Sequence, residues 1–115
     1  ARPHPMCLRA RPYGIQKLVE IARALVPKPQ LILMDEPAAG MNEQETHEIA
    51  KIISEIRDQL DITVMVVEHD MNLVMSISDR IGVLDSGKII TIGLPEEVKA
   101  HPKVLEAYLG EGFDA

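Results

Sequence analysis

Aromatic residues are scarce in this sequence of 115 residues: they make up 3% of it, and tryptophan is absent. Hydrophobic residues still reach 46%, so we expect a core built from Ile, Leu, Val, Met and Ala side chains. The one cysteine, Cys7, has no second thiol with which to form an internal disulfide. The scarcity of cysteine favours a reducing compartment such as the cytoplasm.

Positive charge and long apolar segments are also lacking. The net charge of -6 weighs against a nucleic-acid partner, because surfaces that bind nucleic acid are normally basic. No apolar run approaches the roughly 20 residues that cross a bilayer, and no apolar segment of a secretion signal stands at the N-terminus. We therefore expect any role at a membrane to depend on a partner protein.

The first half of the sequence alternates between helical and strand patterns. Apolar residues at helical spacing predict a helix over residues 15–26, which Pro27 ends. Two unbroken apolar runs, Leu31–Met34 and Ile62–Val67, predict fully buried strands of a parallel sheet. Between them, a stripe of isoleucines predicts a helix that begins with a capping box at Asn42–Glu45.

The second half predicts a short helix, a hairpin and two last helices. Asp70 is placed to cap a helix that runs through Ser78, and Asp85–Lys88 has the residues of a hairpin turn between two apolar runs. Pro95 and Pro102 stand at first helical positions. The whole order predicts an α/β fold with a mainly parallel sheet, flanking helices and a C-terminal hairpin and helices. We expect residues 1–11 to be a poorly ordered lead-in and residues 111–115 a tail.

Reactive side chains follow both predicted parallel strands. Asp35 and Glu36 end the first strand, and His69 closely follows the second. Open α/β sheets bind ligands at the carboxyl ends of their strands, where a pair of carboxylates suits one metal ligand and one general base. The residues alone leave open the alternative that these carboxylates only terminate a strand.

Four ordered motifs carry a resemblance to a known family. Leu31–Pro37, with the sequence LILMDEP, resembles the Walker B motif of ABC-transporter ATPases, and Tyr13–Leu25 resembles their signature loop and the helix that follows it. Ala39–Asn42 is similar to their D-loop, and Val67–Asp70 to their switch-histidine segment. The resemblance covers roughly residues 11–110. It implies that residues 12–110 are the C-terminal part of an ABC-type nucleotide-binding domain with a P-loop NTPase fold.

One branch of the family matches most closely. Glu36–Asn42, Glu68–Met75 and Glu106–Gly110 resemble the ATP-binding subunits of branched-chain amino-acid importers. The terminal Tyr-Leu-Gly also occurs in relatives that serve lipopolysaccharide export, so both substrates stay open. An ABC ATPase of DNA repair is disfavoured, because such proteins usually show long heptad arms or zinc cysteines, which this sequence lacks.

The resemblance implies a role for each matched residue. Asp35 would hold Mg²⁺, Glu36 would deprotonate the attacking water, and His69 would contact the γ-phosphate of ATP. Asn42 would belong to a loop that touches a second ATPase subunit, and Tyr13–Gly14 would present backbone N–H groups to ATP held by that subunit. The implied cofactors are ATP and Mg²⁺. The implied partners are the second ATPase subunit and transmembrane permease subunits, which would place the protein on the cytoplasmic face of the cell membrane.

The sequence also departs from the family pattern. The usual Leu-Ser-Gly-Gly-Gln of the signature is replaced by Arg11–Ile15, and Pro12 removes a hydroxyl donor.

The stretch Gly82–Lys88 nearly matches the P-loop pattern G-x-x-x-x-G-K-[ST], but Ile89 follows it and a strand pattern continues, so it predicts a hairpin turn. Without a P-loop, we expect this chain alone to be inactive. It is then either the C-terminal part of a working subunit or a truncated relic that binds no nucleotide.

Overall fold

The computed structural model describes residues 13–108, with the backbone alone at Tyr13 and Gly14. The chain divides into two compact units, the first ending at Glu68 and the second beginning at His69. The predictions for residues 1–11 and 111–115, and for Arg11 and Pro12 of the signature, fall outside the described residues.

The first unit alternates helix and strand. Its elements are α1 (Tyr13–Leu25), β1 (Leu31–Asp35), α2 (Glu43–Gln59) and β2 (Thr63–Val67). The two strands pair in parallel, with Leu31 opposite Thr63 and Asp35 opposite Val67. The predicted α/β unit with a parallel pair of strands is confirmed.

Helix α2 begins at the predicted capping box. The backbone N–H of Glu45 donates to Oδ1 of Asn42 at 2.8 Å, and the N–H of Asn42 donates to Oε1 of Glu45 at 3.2 Å. These two bonds satisfy two of the N–H groups that a helix start leaves without an intrahelical partner. The isoleucine stripe of α2 is buried, and it supplies much of the core of the first unit: Ile49, Ile53 and Ile56.

The prediction that both parallel strands are fully buried is wrong. Along β1, Ile32 and Met34 are buried, while Leu33 keeps 69% of its surface exposed, and on β2 Met65 is 58% exposed. An unbroken apolar run is suited to a sheet covered on both faces. The described residues of the first unit cover only one face of this pair, so alternate apolar side chains stay in contact with solvent.

The second unit contains the predicted short helix, hairpin and final helices. Its elements are α3 (Met71–Ile77), β3 (Ile81–Asp85), β4 (Lys88–Gly93), α4 (Pro95–Ala100) and α5 (Pro102–Tyr108). Strands β3 and β4 pair antiparallel, with Asp85 opposite Lys88. Ser86 and Gly87, the two residues of the turn, have φ angles of 51° and 79°, as the tightest hairpin turns require. The predicted turn is confirmed, and Lys88 opens a strand rather than a helix.

The core of the second unit is small and aliphatic. Val98 and Val104 are fully buried and form a cluster with Met71, Ile81 and Val83. Beside this cluster, the Tyr108 hydroxyl donates to the carbonyl of Leu84 at 3.1 Å. Within residues 13–108, no helix has both the length and the apolar character that crossing a bilayer demands.

Candidate functional site

The parallel pairing of β1 and β2 brings their carboxyl ends to the same level. Asp35, the last residue of β1, lies opposite Val67, the last residue of β2. The N–H of Glu36 then donates to the carbonyl of Val67 at 2.7 Å, which extends the pairing one residue beyond the strand. Glu36 is therefore tied to the end of the neighbouring strand through its backbone.

The chain reverses immediately after this bond. Glu36 has a φ of 47°, in the left-handed region that residues with a side chain rarely adopt. The N–H of Ala39 donates to the Glu36 carbonyl at 3.0 Å, and Pro37 and Ala38 are buried. The Glu36 side chain itself is exposed, so a fixed turn presents this carboxylate to solvent.

A second carboxylate lies beside that of Glu36. Glu68, which directly follows β2, is half-buried, and its Oε2 accepts a hydrogen bond from the N–H of Ala38 at 3.2 Å. Carboxylate oxygens of Glu36 and Glu68 lie within 4.8 Å of each other. Sequence reasoning missed this contact. The sequence did contain a signal for it, because Glu68 lies one residue past the strand that pairs with β1.

Asp35 lies on the exposed face of β1 and lines a groove of about 240 Å³ between α1 and β1. Lys17 and Glu20 of α1 and Leu33 also line this groove. The exposed carboxylate of Asp35 is a hard oxygen donor of the kind that Mg²⁺ prefers, so the residue fits the metal that the sequence implies. When bound, the metal would neutralise charge on phosphate oxygens.

The other predicted site residues come from three segments of the sequence. His69 is exposed and opens the second unit, where the next residue, Asp70, caps α3 by accepting from the Leu73 N–H at 3.1 Å. Tyr13–Gly14 form the start of α1, whose first N–H groups have no partner within the helix. Asn42 is the N-cap of α2. The convergence of His69 with Asp35 and Glu36, and the nucleotide and dimer roles, stay predictions.

The comparisons with known proteins all lead to one family. The family model described as "Branched-chain amino acid ATP-binding cassette transporter" matches residues 88–114. A stretch of 99 residues, 86% of this chain, is 48% identical to the high-affinity branched-chain amino acid transport ATP-binding protein LivG of Salmonella typhimurium. The chain spans only 39% of the length of that relative.

Solved structures show the same relationship at the level of the fold. An ATP-binding cassette of an ABC transporter in its ADP conformation superposes with a TM-score of 0.76 at 36% identity, over 87% of this chain and 41% of the other. A second cassette, a dimeric post-hydrolysis state bound to ADP and phosphate, superposes with a TM-score of 0.63 at 30% identity, over 71% of this chain and 35% of the other. In sequence and in fold, most of this chain is therefore similar to part of the ATP-binding cassettes of ABC transporters.

Proposed function

We propose that this chain is part of the ATP-hydrolysing subunit of an ABC transporter that imports branched-chain amino acids. The observation that carries the proposal is the acidic turn: Asp35 and Glu36 end β1, and a 2.7 Å backbone bond from Glu36 holds them at the end of β2. A metal ligand next to a general base at the carboxyl end of a parallel strand is suited to phosphoryl transfer to water.

The proposed chemistry divides among the residues of the two strand ends. Glu36 orients the attacking water and accepts its proton, and Asp35 binds Mg²⁺. His69 contacts the γ-phosphate. Tyr13–Gly14, at the N-terminus of α1, offer backbone N–H groups to ATP bound by a second subunit, where the helix dipole also favours negative charge.

The proposed partners follow from the same arrangement. Asn42 precedes α2 in a loop that contacts a second ATPase subunit, and one solved relative is itself a dimer. Transmembrane permease subunits complete the transporter and hold the ATPase at the cytoplasmic face of the membrane. The P-loop that binds the β- and γ-phosphates comes from residues outside this sequence, which spans 39% of LivG.

The substrate proposal depends on the C-terminal residues. The matching family model covers residues 88–114, which include the Tyr-Leu-Gly at residues 108–110 that also occurs in lipopolysaccharide-export relatives. That match, together with the 48% identity to LivG, favours branched-chain amino acids as the substrate.

A chimera tests the proposal directly. Residues 13–108 replace the matching stretch of Salmonella LivG, which supplies the P-loop. We expect the chimera to hydrolyse Mg-ATP and to restore branched-chain amino acid uptake in cells that lack LivG. Glu36→Gln should lower turnover by a factor of about 100 or more, because it removes the general base, while ATP binding persists. Glu48→Gln, on an exposed position of α2, is the matched control and should change neither.

The 115-residue chain alone is expected to show no measurable ATP hydrolysis and no tight nucleotide binding. A P-loop gives several backbone N–H groups and a lysine to the phosphates, whereas Asp35 and Glu36 by themselves repel an anionic nucleotide. Calorimetry with Mg-ATP and a phosphate-release assay measure both properties. Micromolar binding by the chain alone would contradict the proposed division of the site. A folded chimera without turnover would favour the alternative of an inactive relic.

A further inference from the structure

We infer that Glu68 is a positioning residue for Glu36: its carboxylate holds the turn that carries the general base. This inference rests on the proposed function, since it concerns the base of ATP hydrolysis. Glu68 has no assigned part in the chemistry described above. Its contact with the turn joins residues 30 positions apart in the sequence.

The turn needs external support because its backbone is unfavourable. A φ of 47° at Glu36 persists only where the surrounding structure enforces it, since a left-handed conformation costs a residue with a side chain about 1–3 kcal/mol. Two backbone bonds help to enforce it, from the Glu36 N–H to Val67 and from the Ala39 N–H to Glu36. Neither bond involves the N–H of Ala38.

Glu68 adds a constraint at the N–H of Ala38. Pro37 has no N–H, so Ala38 carries the first backbone donor after Glu36, and Ala38 is only 9% exposed. A buried N–H without a partner is strongly unfavourable, and Oε2 of Glu68 accepts this one at 3.2 Å. The bond ties the turn to the residue that follows β2.

The same bond determines where the charge of Glu68 lies. Because the carboxylate is held at the Ala38 N–H, its oxygens stay within 4.8 Å of those of Glu36. Glu68 thus holds the backbone of the turn while its own carboxylate lies beside that of Glu36.

Amide hydrogen exchange on the chain itself tests the contact. We expect Glu68→Ala to speed exchange of the Ala38 amide by at least about tenfold, as for the loss of a hydrogen bond to a charged acceptor. Glu68→Gln should leave exchange close to that of the wild type, because the amide oxygen of glutamine still accepts the bond. The control is Glu55→Ala, at an exposed position of α2. Equal exchange of Ala38 in Glu68→Ala and the wild type would overturn the inference.

Kinetics of the LivG chimera test the positioning role. We expect Glu68→Ala to lower kcat by about tenfold with little change in KM for ATP, because the P-loop still binds the nucleotide. Glu68→Gln should restore kcat to within about threefold of the parent, and Glu55→Ala should have no effect. If Glu68→Gln loses as much activity as Glu68→Ala, or if KM alone changes, the inference is wrong. A parent chimera without turnover would instead contradict the proposed function, and amide exchange would still decide whether Glu68 holds the turn.

Discussion

Asn42 has one observed role and one proposed role, and they can be separated by substitution. Its side chain caps α2, so Asn42→Ala should lower the free energy of unfolding by about 1 kcal/mol. Asn42→Asp should restore that stability, because aspartate is an equally good N-cap. Urea denaturation measures both changes. Asn72→Ala, at an exposed position of α3, is the control.

The outcome at Asn42 has consequences for the dimer proposal. If the residue only caps α2, Asn42→Asp should behave as the wild type in the chimera as well. If it also contacts a second subunit, the aspartate variant should fold normally but hydrolyse ATP more slowly. Equal loss of stability in Asn42→Asp and Asn42→Ala would contradict the capping role.

At the scale of the elements, the β3–β4 hairpin contains two glycines with different backbone conformations. Gly87 has a φ of 79° with open space where a Cβ would lie, whereas Gly82 has ordinary strand geometry and a Cβ there would lie 3.6 Å from Cγ1 of Ile92. Gly87→Ala should therefore destabilise the chain by about 1 kcal/mol through backbone strain alone. Gly82→Ala should be neutral or slightly stabilising. Thermal unfolding compares the two, and equal effects would contradict the turn geometry.

Helices, strands and turns were predicted from the sequence more accurately than the burial of their residues and the contacts between them. Local signals were sufficient for the capping box at Asn42, the cap at Asp70 and the turn at Ser86–Gly87, because each depends on residues within a few positions of one another. The burial of β1 and β2 was mispredicted, because an apolar run does not reveal how many covering layers are present. The Glu68–Ala38 bond was also missed, because it depends on the register of two strands.

Considered as a whole molecule, the chain exposes apolar surface in each of its two units. Leu33 and Met65 are exposed on the sheet of the first unit, and Ile89 and Ile92 are exposed on the hairpin of the second, at 63% and 55%. Exposed apolar groups on a sheet favour association between molecules. We therefore expect the chain alone to self-associate as its concentration rises.

Two charges on the sheet should oppose this association. The double variant Leu33→Lys, Met65→Lys should stay monomeric at concentrations where the wild type forms larger species, as measured by sedimentation velocity. The matched control places the same two charges outside the sheets, as Val26→Lys with Leu60→Lys, at positions that are 79% and 54% exposed. If both double variants have the same effect, net charge rather than the sheet face governs the association.

The left-handed backbone at Glu36 also affects how this position evolves. Glutamate codons become glycine codons by one base change, and glycine adopts a φ of 47° without strain. Mutation and selection for folding alone would therefore favour glycine at position 36, since the replacement stabilises the turn while it removes the proposed base. In a gene no longer under selection for ATP hydrolysis, Glu36→Gly would not destabilise the encoded protein. Under the proposed function, the glutamate at this position reflects selection for chemistry at the expense of stability.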